Sequence, residues 1–485
     1  MERLASVLHV FAAIALIFAA TLLLPIGVAW WQMDGALTSF DEAFFGTLLG
    51  AGALFFATRR FRRELRAQEG ILLVVLCWVL LPVIAAVPLV LAIPELPLAA
   101  AYFEAVSGLT ATGATALAGL DRLPVSLNLW RTELHWIGGL GVIVLAVAVL
   151  PLLGVGGRQL LKAETPGPIK DSGLAPRVHE AARGFWMIYL ALTLLCLLAY
   201  HLLGMSWLDA LMHAFSTVSL GGFSSHDASL GHFDSAPIEG VTMVFALLSG
   251  MSYVTHLAAL TRKSFRPYWK DGELPYYLGV IAASVLLIAA YLWSHGVYAD
   301  FATALRFAAF NTVSVATTLG YASTDYALWP FFAPLWMLFL CSFFTCSGST
   351  GGGLKMMRAI ILYKQVFREV VHAIHPHATT FIKLGRAIVS NHIILAVLGF
   401  AFLYMASTIF FTLALAASGL DILTAFSAAI ACFNNTGPGL GQVGPAGNYG
   451  GFDALQLGLC SFAMLLGRLE IFTLLVVLTP AFWRK

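Results

Sequence analysis

A glycine recurs at positions 113, 222, 320 and 437, each time six residues after a small residue and just past an apolar stretch too short to cross a bilayer. The four segments read Ser107-Gly-Leu-Thr-Ala-Thr-Gly113, Ser216-Thr-Val-Ser-Leu-Gly-Gly222, Ser314-Val-Ala-Thr-Thr-Leu-Gly320 and Ala431-Cys-Phe-Asn-Asn-Thr-Gly437, at intervals of 109, 98 and 117 residues. The short stretches themselves are 98–108, 207–217, 301–314 and 421–432. Around them lie ten runs of the length a spanning helix needs, about 20 apolar residues: 7–31, 41–58, 70–93, 134–153, 184–204, 238–260, 275–294, 330–345 continuing to 372, 388–416 and 454–482. The first run is too long, and lacks the small-residue cleavage site, for a cleaved signal peptide.

The unit is therefore span, half-helix, glycine loop, span, and it occurs four times. The expected fold is an all-α polytopic membrane protein. Residues 1–66 form a helix pair outside the repeat, followed by units at 67–182, 183–273, 274–386 and 387–485. Non-helical backbone at membrane depth leaves N–H and C=O groups without partners unless it lines a watery cavity. Four such loops point to one cavity on a pseudo-fourfold axis. Glycine there permits backbone angles that turn carbonyls inward, and a carbonyl ring can replace a cation's hydration shell. The other reading of each loop is an ordinary helix-capping glycine.

Charge agrees. Hydrophobic residues are 60% of the chain and charged residues 11%, against about 45–50% and about 25% in soluble domains. If each half-helix returns to the side it left, 23 of the 27 Lys and Arg residues fall on one face, which makes that face and both termini cytoplasmic. The exceptions are Arg122, Arg131, Arg306 and Arg468. Acidic residues such as Asp121, Asp227, Asp234 and Glu239 lie on the opposite face, either as solvated loops or as a rim that concentrates cations. A net charge of +2 with no separate basic face argues against nucleic-acid binding. The six cysteines lie in apolar runs without metal spacing and read as buried thiols. Asp209 and Asp421 read as N-caps. His213, His256 and His392 read as core or interfacial residues, and Arg306 as a packing or capping residue. No nucleophile–base arrangement suggests catalysis.

The segments SGLTATGAT, STVSLGGFSSHD, SVATTLGYAS and ACFNNTGPGLG resemble the Trk/Ktr/HKT superfamily of potassium transport proteins, and the extra N-terminal pair is similar to its TrkH/TrkG branch. The resemblance implies a bacterial inner-membrane potassium uptake subunit, a homodimer, and a cytosolic TrkA-type regulatory subunit that binds NAD or ATP. It implies K+ as the transported and bound ion, held by backbone, with no cofactor in this chain. The filter positions it points to are Ala111, Thr112 and Gly113; Leu220, Gly221 and Gly222; Thr318, Leu319 and Gly320; and Asn435, Thr436 and Gly437. The double glycine leaves the second register open by one residue. A sodium- or proton-coupled cation symporter of the same fold is the alternative. A secondary transporter of an organic solute would more naturally show two inverted repeats.

The third post-filter span is interrupted by Thr345-Cys-Ser-Gly-Ser-Thr-Gly-Gly-Gly353, a run the other three lack. Gly348, Gly351, Gly352 and Gly353 break a helix. A phosphate loop does not fit the pattern G-x-x-x-x-G-K-[ST], which leaves a packing kink or a movable gate. Lys355 is expected on the cytoplasmic face. Arg468 is expensive in a span: either it ties helices together through carbonyls, or it projects below the filter against the 345–353 loop as an electrostatic barrier.

Overall fold

The structure is a computed structural model that describes residues 2–63, 65–141, 178–385 and 387–484. Part of the expected 134–153 span, the basic segment 154–177 and Arg386 lie outside the described residues.

One order of elements occurs four times. A long helix comes first: Ala67–Ala92, Val178–Leu202, Leu274–Ser294 and Asn391–Ala417. A half-helix follows: Leu98–Leu109, Trp207–Ser219, Phe301–Ala316 and Ile422–Phe433. After the glycine loop a third helix begins at Val125, Ala236, Phe332 or Ala454. A half-helix of 12 residues is about 18 Å long at 1.5 Å per residue, well short of a hydrocarbon core of about 30 Å. The long helices present apolar side chains outward. On Asn391–Ala417, Leu395, Phe402, Met405, Ile409, Phe410 and Leu413 are exposed while Ile394, Val397, Phe400, Tyr404 and Phe411 are buried. An apolar face of that size calls for lipid or another protein surface against it.

The N-terminal pair is Glu2–Thr21, continued by Leu23–Gln32, and Leu37–Thr58. It buries Val7, Val10, Phe11, Ile14 and Phe18 against the first unit. A two-stranded hairpin, Lys383–Leu384 with Ala387–Ile388, lies between the third and fourth units and is the one sheet among the described residues; Gly385 stands in its turn at φ 56°. All six cysteines are buried free thiols.

Three expectations need correction. The glycine run does not single out the third post-filter span. Ala236–Gly250 meets Tyr253–Arg262 at 91°, and Ala454–Arg468 meets Ile471–Leu478 at 113°; the first such helix also ends, at Gly139. Among the described residues six helices are long and apolar enough to cross as one piece, and eight if each bent pair is one span, so the uniform span pattern of 238–260 and 454–482 conceals breaks. At the last of them Glu470 takes a left-handed φ of 52° and its carboxylate receives Arg358, which holds the bend where hydropathy alone reads continuity. Second, Asp209 is not the N-cap of its half-helix: Ser206 is, accepting from Asp209 N, whereas Asp421 does cap the fourth. Third, Lys355 does not simply point to the cytoplasm; its ammonium folds back onto the Gly351 carbonyl.

Candidate pore and its intramembrane loop

Each half-helix ends in the same two bonds. The residue before the glycine donates its N–H to the small residue five positions back: Thr112 to Ser107 at 2.9 Å, Gly221 to Ser216 at 2.9 Å, Leu319 to Ser314 at 2.8 Å and Thr436 to Ala431 at 2.9 Å. The residue before that bonds back three positions, as Ala111 does to Gly108 and Asn435 to Cys432. This is a Schellman termination, and the small residue noticed in the sequence is its acceptor. The left-handed position is taken by Ala111, Leu220, Thr318 and Asn435, with φ of 52°, 58°, 63° and 54°. None is glycine, so each carries about 1–2 kcal/mol of backbone strain. Two residues on, Gly113, Gly222, Gly320 and Gly437 return to positive φ, at 82°, 80°, 83° and 90°. By these angles Gly222, and not Gly221, is the counterpart of Gly113, Gly320 and Gly437.

The four loops close on one another. A Cβ added to Gly113 would overlap the Gly221 carbonyl, one on Gly222 the Leu319 carbonyl, one on Gly320 the Thr436 carbonyl and one on Gly437 the Thr112 carbonyl. The order is cyclic: every glycine abuts the carbonyl just before the next one. Above the ring opens a cleft lined by all four glycines with Thr115, Arg131, His226 and Asp227.

Gly221 is explained separately. The His135 ring, stacked on Phe223 at 4.1 Å, fills the place of any Cβ there, and its Nδ1 accepts from Phe223 N at 3.4 Å. Gly221→Ala is therefore expected to destabilise the chain by about 1–3 kcal/mol through overpacking, and Gly221→Ala with His135→Ala to recover part of it. Thermal unfolding in detergent reads both; equal stability of Gly221→Ala and parent would remove this account.

Below the ring lies the loop joining Phe332–Phe343 to Met356–Ile374. Gly352 N donates to Thr318 Oγ1 at 3.1 Å and Gly352 O accepts from Thr345 Oγ1 at 2.7 Å. Gly351 and Gly352 lie against Thr317 and Asn434 with no room for a Cβ. Gly348 O accepts from Tyr253 N at 3.0 Å, which ties the loop to the break in the second unit, and Gly353 packs under the Cys341 carbonyl. Arg468 donates to Thr350 O at 2.9 Å, Gly138 O at 2.5 Å and Gly139 O at 2.8 Å. The loop and Arg468 together touch all four units.

Sequence reading missed the buried pair Glu104–Arg131, 2.8 Å apart. Glu104 also accepts from Ala116 N and Thr115 Oγ1, and Arg131 reaches Ser224 O at 3.2 Å, so the pair braces the first two glycine loops from above. The available signal was one carboxylate in an otherwise apolar half-helix and one Arg in the next span, since charges at that depth need partners. Arg131→Ala is expected to cost about 3–5 kcal/mol by leaving Glu104 buried and uncompensated, measured as the fraction surviving size-exclusion after heating. Behaviour like the parent would show that the pair braces nothing. Arg306 is likewise a bridge, to Glu239 at 2.8 Å and Asp234 at 3.0 Å. His213, between Asp209 O and Ser224 Oγ, and His256, between Tyr268 OH and Leu248 O, are held within the fold.

A family model described as cation transport protein, TrkH, matches residues 36–485. The chain belongs to the TrkH family of cation transport proteins. It is 44% identical over 483 residues to the Trk system potassium uptake protein TrkH of Salmonella typhimurium, covering 99% of each chain. The identity is 43% to TrkH and 38% to TrkG of Escherichia coli, again over 99% of this chain. The crystal structure of the potassium transporter TrkH from Vibrio parahaemolyticus matches with a TM-score of 0.89 at 40% identity, over 99% of this chain and 100% of that one. The fold class expected from the four repeated segments is the fold of this family.

Proposed function

We propose that this chain is the potassium-conducting membrane subunit of a Trk-type uptake system. The observation that carries the proposal is the cyclic contact of Gly113, Gly222, Gly320 and Gly437 with the carbonyls of the neighbouring loops. Such a ring offers oxygen ligands at fixed spacing to a dehydrated monovalent cation. The carbonyl ends of four half-helices add favourable dipoles for it, and the high identity to potassium uptake proteins supports K+ as the cargo. The ion is held by backbone at Ala111–Gly113, Leu220–Gly222, Thr318–Gly320 and Asn435–Gly437. An inside-negative potential supplies about 2.3 kcal/mol per 100 mV, enough for roughly fiftyfold accumulation at about 1.4 kcal/mol per tenfold.

The 345–353 loop acts as the gate, with Arg468 holding it shut. We place the chain in a bacterial inner membrane with both termini cytoplasmic, as a homodimer under a TrkA-type nucleotide-binding ring. The segment Arg262–Lys270 supports a docking surface: four basic residues flank the exposed Phe265 and Trp269. Rubidium uptake into proteoliposomes, with no organic solute, is the expected activity, and co-purification with a soluble nucleotide-binding subunit from the native host the expected partnership. Uptake that needs an organic solute would overturn the first, and flux indifferent to both subunit and nucleotide the second. Uptake that follows an imposed proton or sodium gradient would select the symporter alternative.

A further inference from the structure

At the rim of the cleft, two glycine-loop continuations bring together residues that are far apart in sequence. Asp121 follows the first loop; His226 and His232 follow the second. One ligand atom from each of the three lies within 4.8 Å of the other two. His226 Nδ1 is 2.5 Å from Asp121 Oδ1. The His232 ring stacks on the His226 ring at 3.6 Å, parallel to within 1°. His226 lines the cleft directly above the four glycines.

We propose that Asp121, His226 and His232 form a binding site for a divalent transition-metal ion of the zinc class, and that its occupation slows cation entry. The donors are two imidazoles and one carboxylate, the set that borderline ions such as Zn2+ favour over hard cations such as Mg2+. Three protein ligands leave a fourth tetrahedral position for water. Ligand atoms around a tetrahedral ion with bonds of about 2.0 Å stand roughly 3.3 Å apart, so to take the ion Asp121 and His226 must open from their 2.5 Å contact and the His232 ring must turn out of its parallel stack. A second observation is independent of that spacing. Asp209 Oδ1 lies 3.5 Å from His226 Nε2, on the ring edge opposite Asp121. A carboxylate on the far nitrogen of a ligating histidine fixes its tautomer and raises its basicity as a ligand. At 3.5 Å the contact is an ion pair and not a hydrogen bond; an Asp209 that closes on Nε2 would leave Nδ1 as the nitrogen facing the ion beside Asp121. Two further contacts steady the donors: Asp227 N donates to Asp121 Oδ2 at 3.2 Å and Ser225 Oγ to Asp209 Oδ1 at 3.0 Å.

The consequence follows from position and rests on the conduction reading above. A divalent charge at the mouth opposes the approach of monovalent cations. It also clips the first loop continuation to the second, across the rim that an entering ion must pass. Ordinary ion pairing of His226 with Asp121 and Asp209 would brace the same loops with no affinity for metal, and the test separates the two.

The chain, freed of any affinity tag, is titrated with Zn2+ in detergent at pH 7.5 by calorimetry. One site per chain is expected in the parent, with affinity lowered about tenfold or more in His232→Gln, since even loss of an outer partner of a metal ligand costs that much. Binding of equal strength in parent and His232→Gln, or no binding to the parent, overturns the site. In parallel, rubidium uptake into proteoliposomes is measured with external Zn2+. Dose-dependent slowing reversed by EDTA is expected, with the half-inhibiting concentration raised about tenfold in His232→Gln and metal-free uptake unchanged. Equal inhibition of both overturns the link to entry. A parent that binds Zn2+ but carries no rubidium would sink the conduction reading and leave the metal site standing.

Discussion

Gly113→Ser is expected to leave the chain folded while sharply reducing its discrimination against sodium. The added side chain meets two obstacles at once. The backbone at position 113 has φ 82°, which an L-residue adopts at about 1–2 kcal/mol. Its Cβ would also overlap the Gly221 carbonyl, so one of two neighbouring loops must shift. A carbonyl ring that discriminates between cations by geometry and field loses its advantage when one quadrant moves. A loss of about 1.5–3 kcal/mol of preference corresponds to a roughly ten- to hundredfold drop in discrimination. Sodium competition against rubidium uptake in proteoliposomes measures it. The equivalent substitutions at Gly222, Gly320 and Gly437 should act alike, because all four meet a neighbour's carbonyl in the same way. Unchanged competition in all four would sink the ring as a selectivity device.

The second large effect is expected below the ring. Removing two or three residues from Gly348–Gly352 should raise flux without abolishing selectivity. The deleted backbone is the part in contact with Thr318 and Asn434, whereas the ring's own terminating bonds run within each half-helix and its loop. Arg468→Ala should raise flux through the same element. Its bond to Thr350 O is of the charged kind that contributes about 1.5–3 kcal/mol, so its loss shifts a closed–open balance by roughly tenfold or more. A purely structural Arg468 gives another outcome: the Gly138 and Gly139 carbonyls lose their donor and the protein aggregates. Flux per folded molecule, with folding checked by size-exclusion, separates these. Well-folded deletions that conduct no better than the parent would make the loop a packing element and not a gate.

Much of this was legible in one dimension. The apolar runs dictate helices, because in lipid a backbone must satisfy itself, and their lengths separate spans from half-helices. The recurrence of a small residue six positions before a glycine already marked the loops, although the reason lay beyond the pattern: Ser107, Ser216, Ser314 and Ala431 accept the closing bond of each half-helix. The breaks at 251–252 and 469–470 were not legible. Hydropathy averages over a window and carries no signal for a bend held by an ion pair such as Glu470–Arg358. The place of Asp209 as third residue, with Ser206 as cap, turned on a one-turn ambiguity between two good capping types.

What the sequence determined by itself was the class of solvent, the number of repeated units and the glycine loops at which the four half-helices must stop. What only the tertiary structure decided was who meets whom. The cyclic approach of each glycine to the next loop's carbonyl joins residues about a hundred positions apart, and Gly437 to Thr112 joins opposite ends of the series. Glu104 with Arg131, Arg468 with Gly138, and Asp121 with His226 are likewise products of packing. Local sequence fixes backbone angles and burial, which depend on near neighbours. Pairings across units depend on how four similar bodies close around one axis, and the energy that selects them is spread over every interface at once.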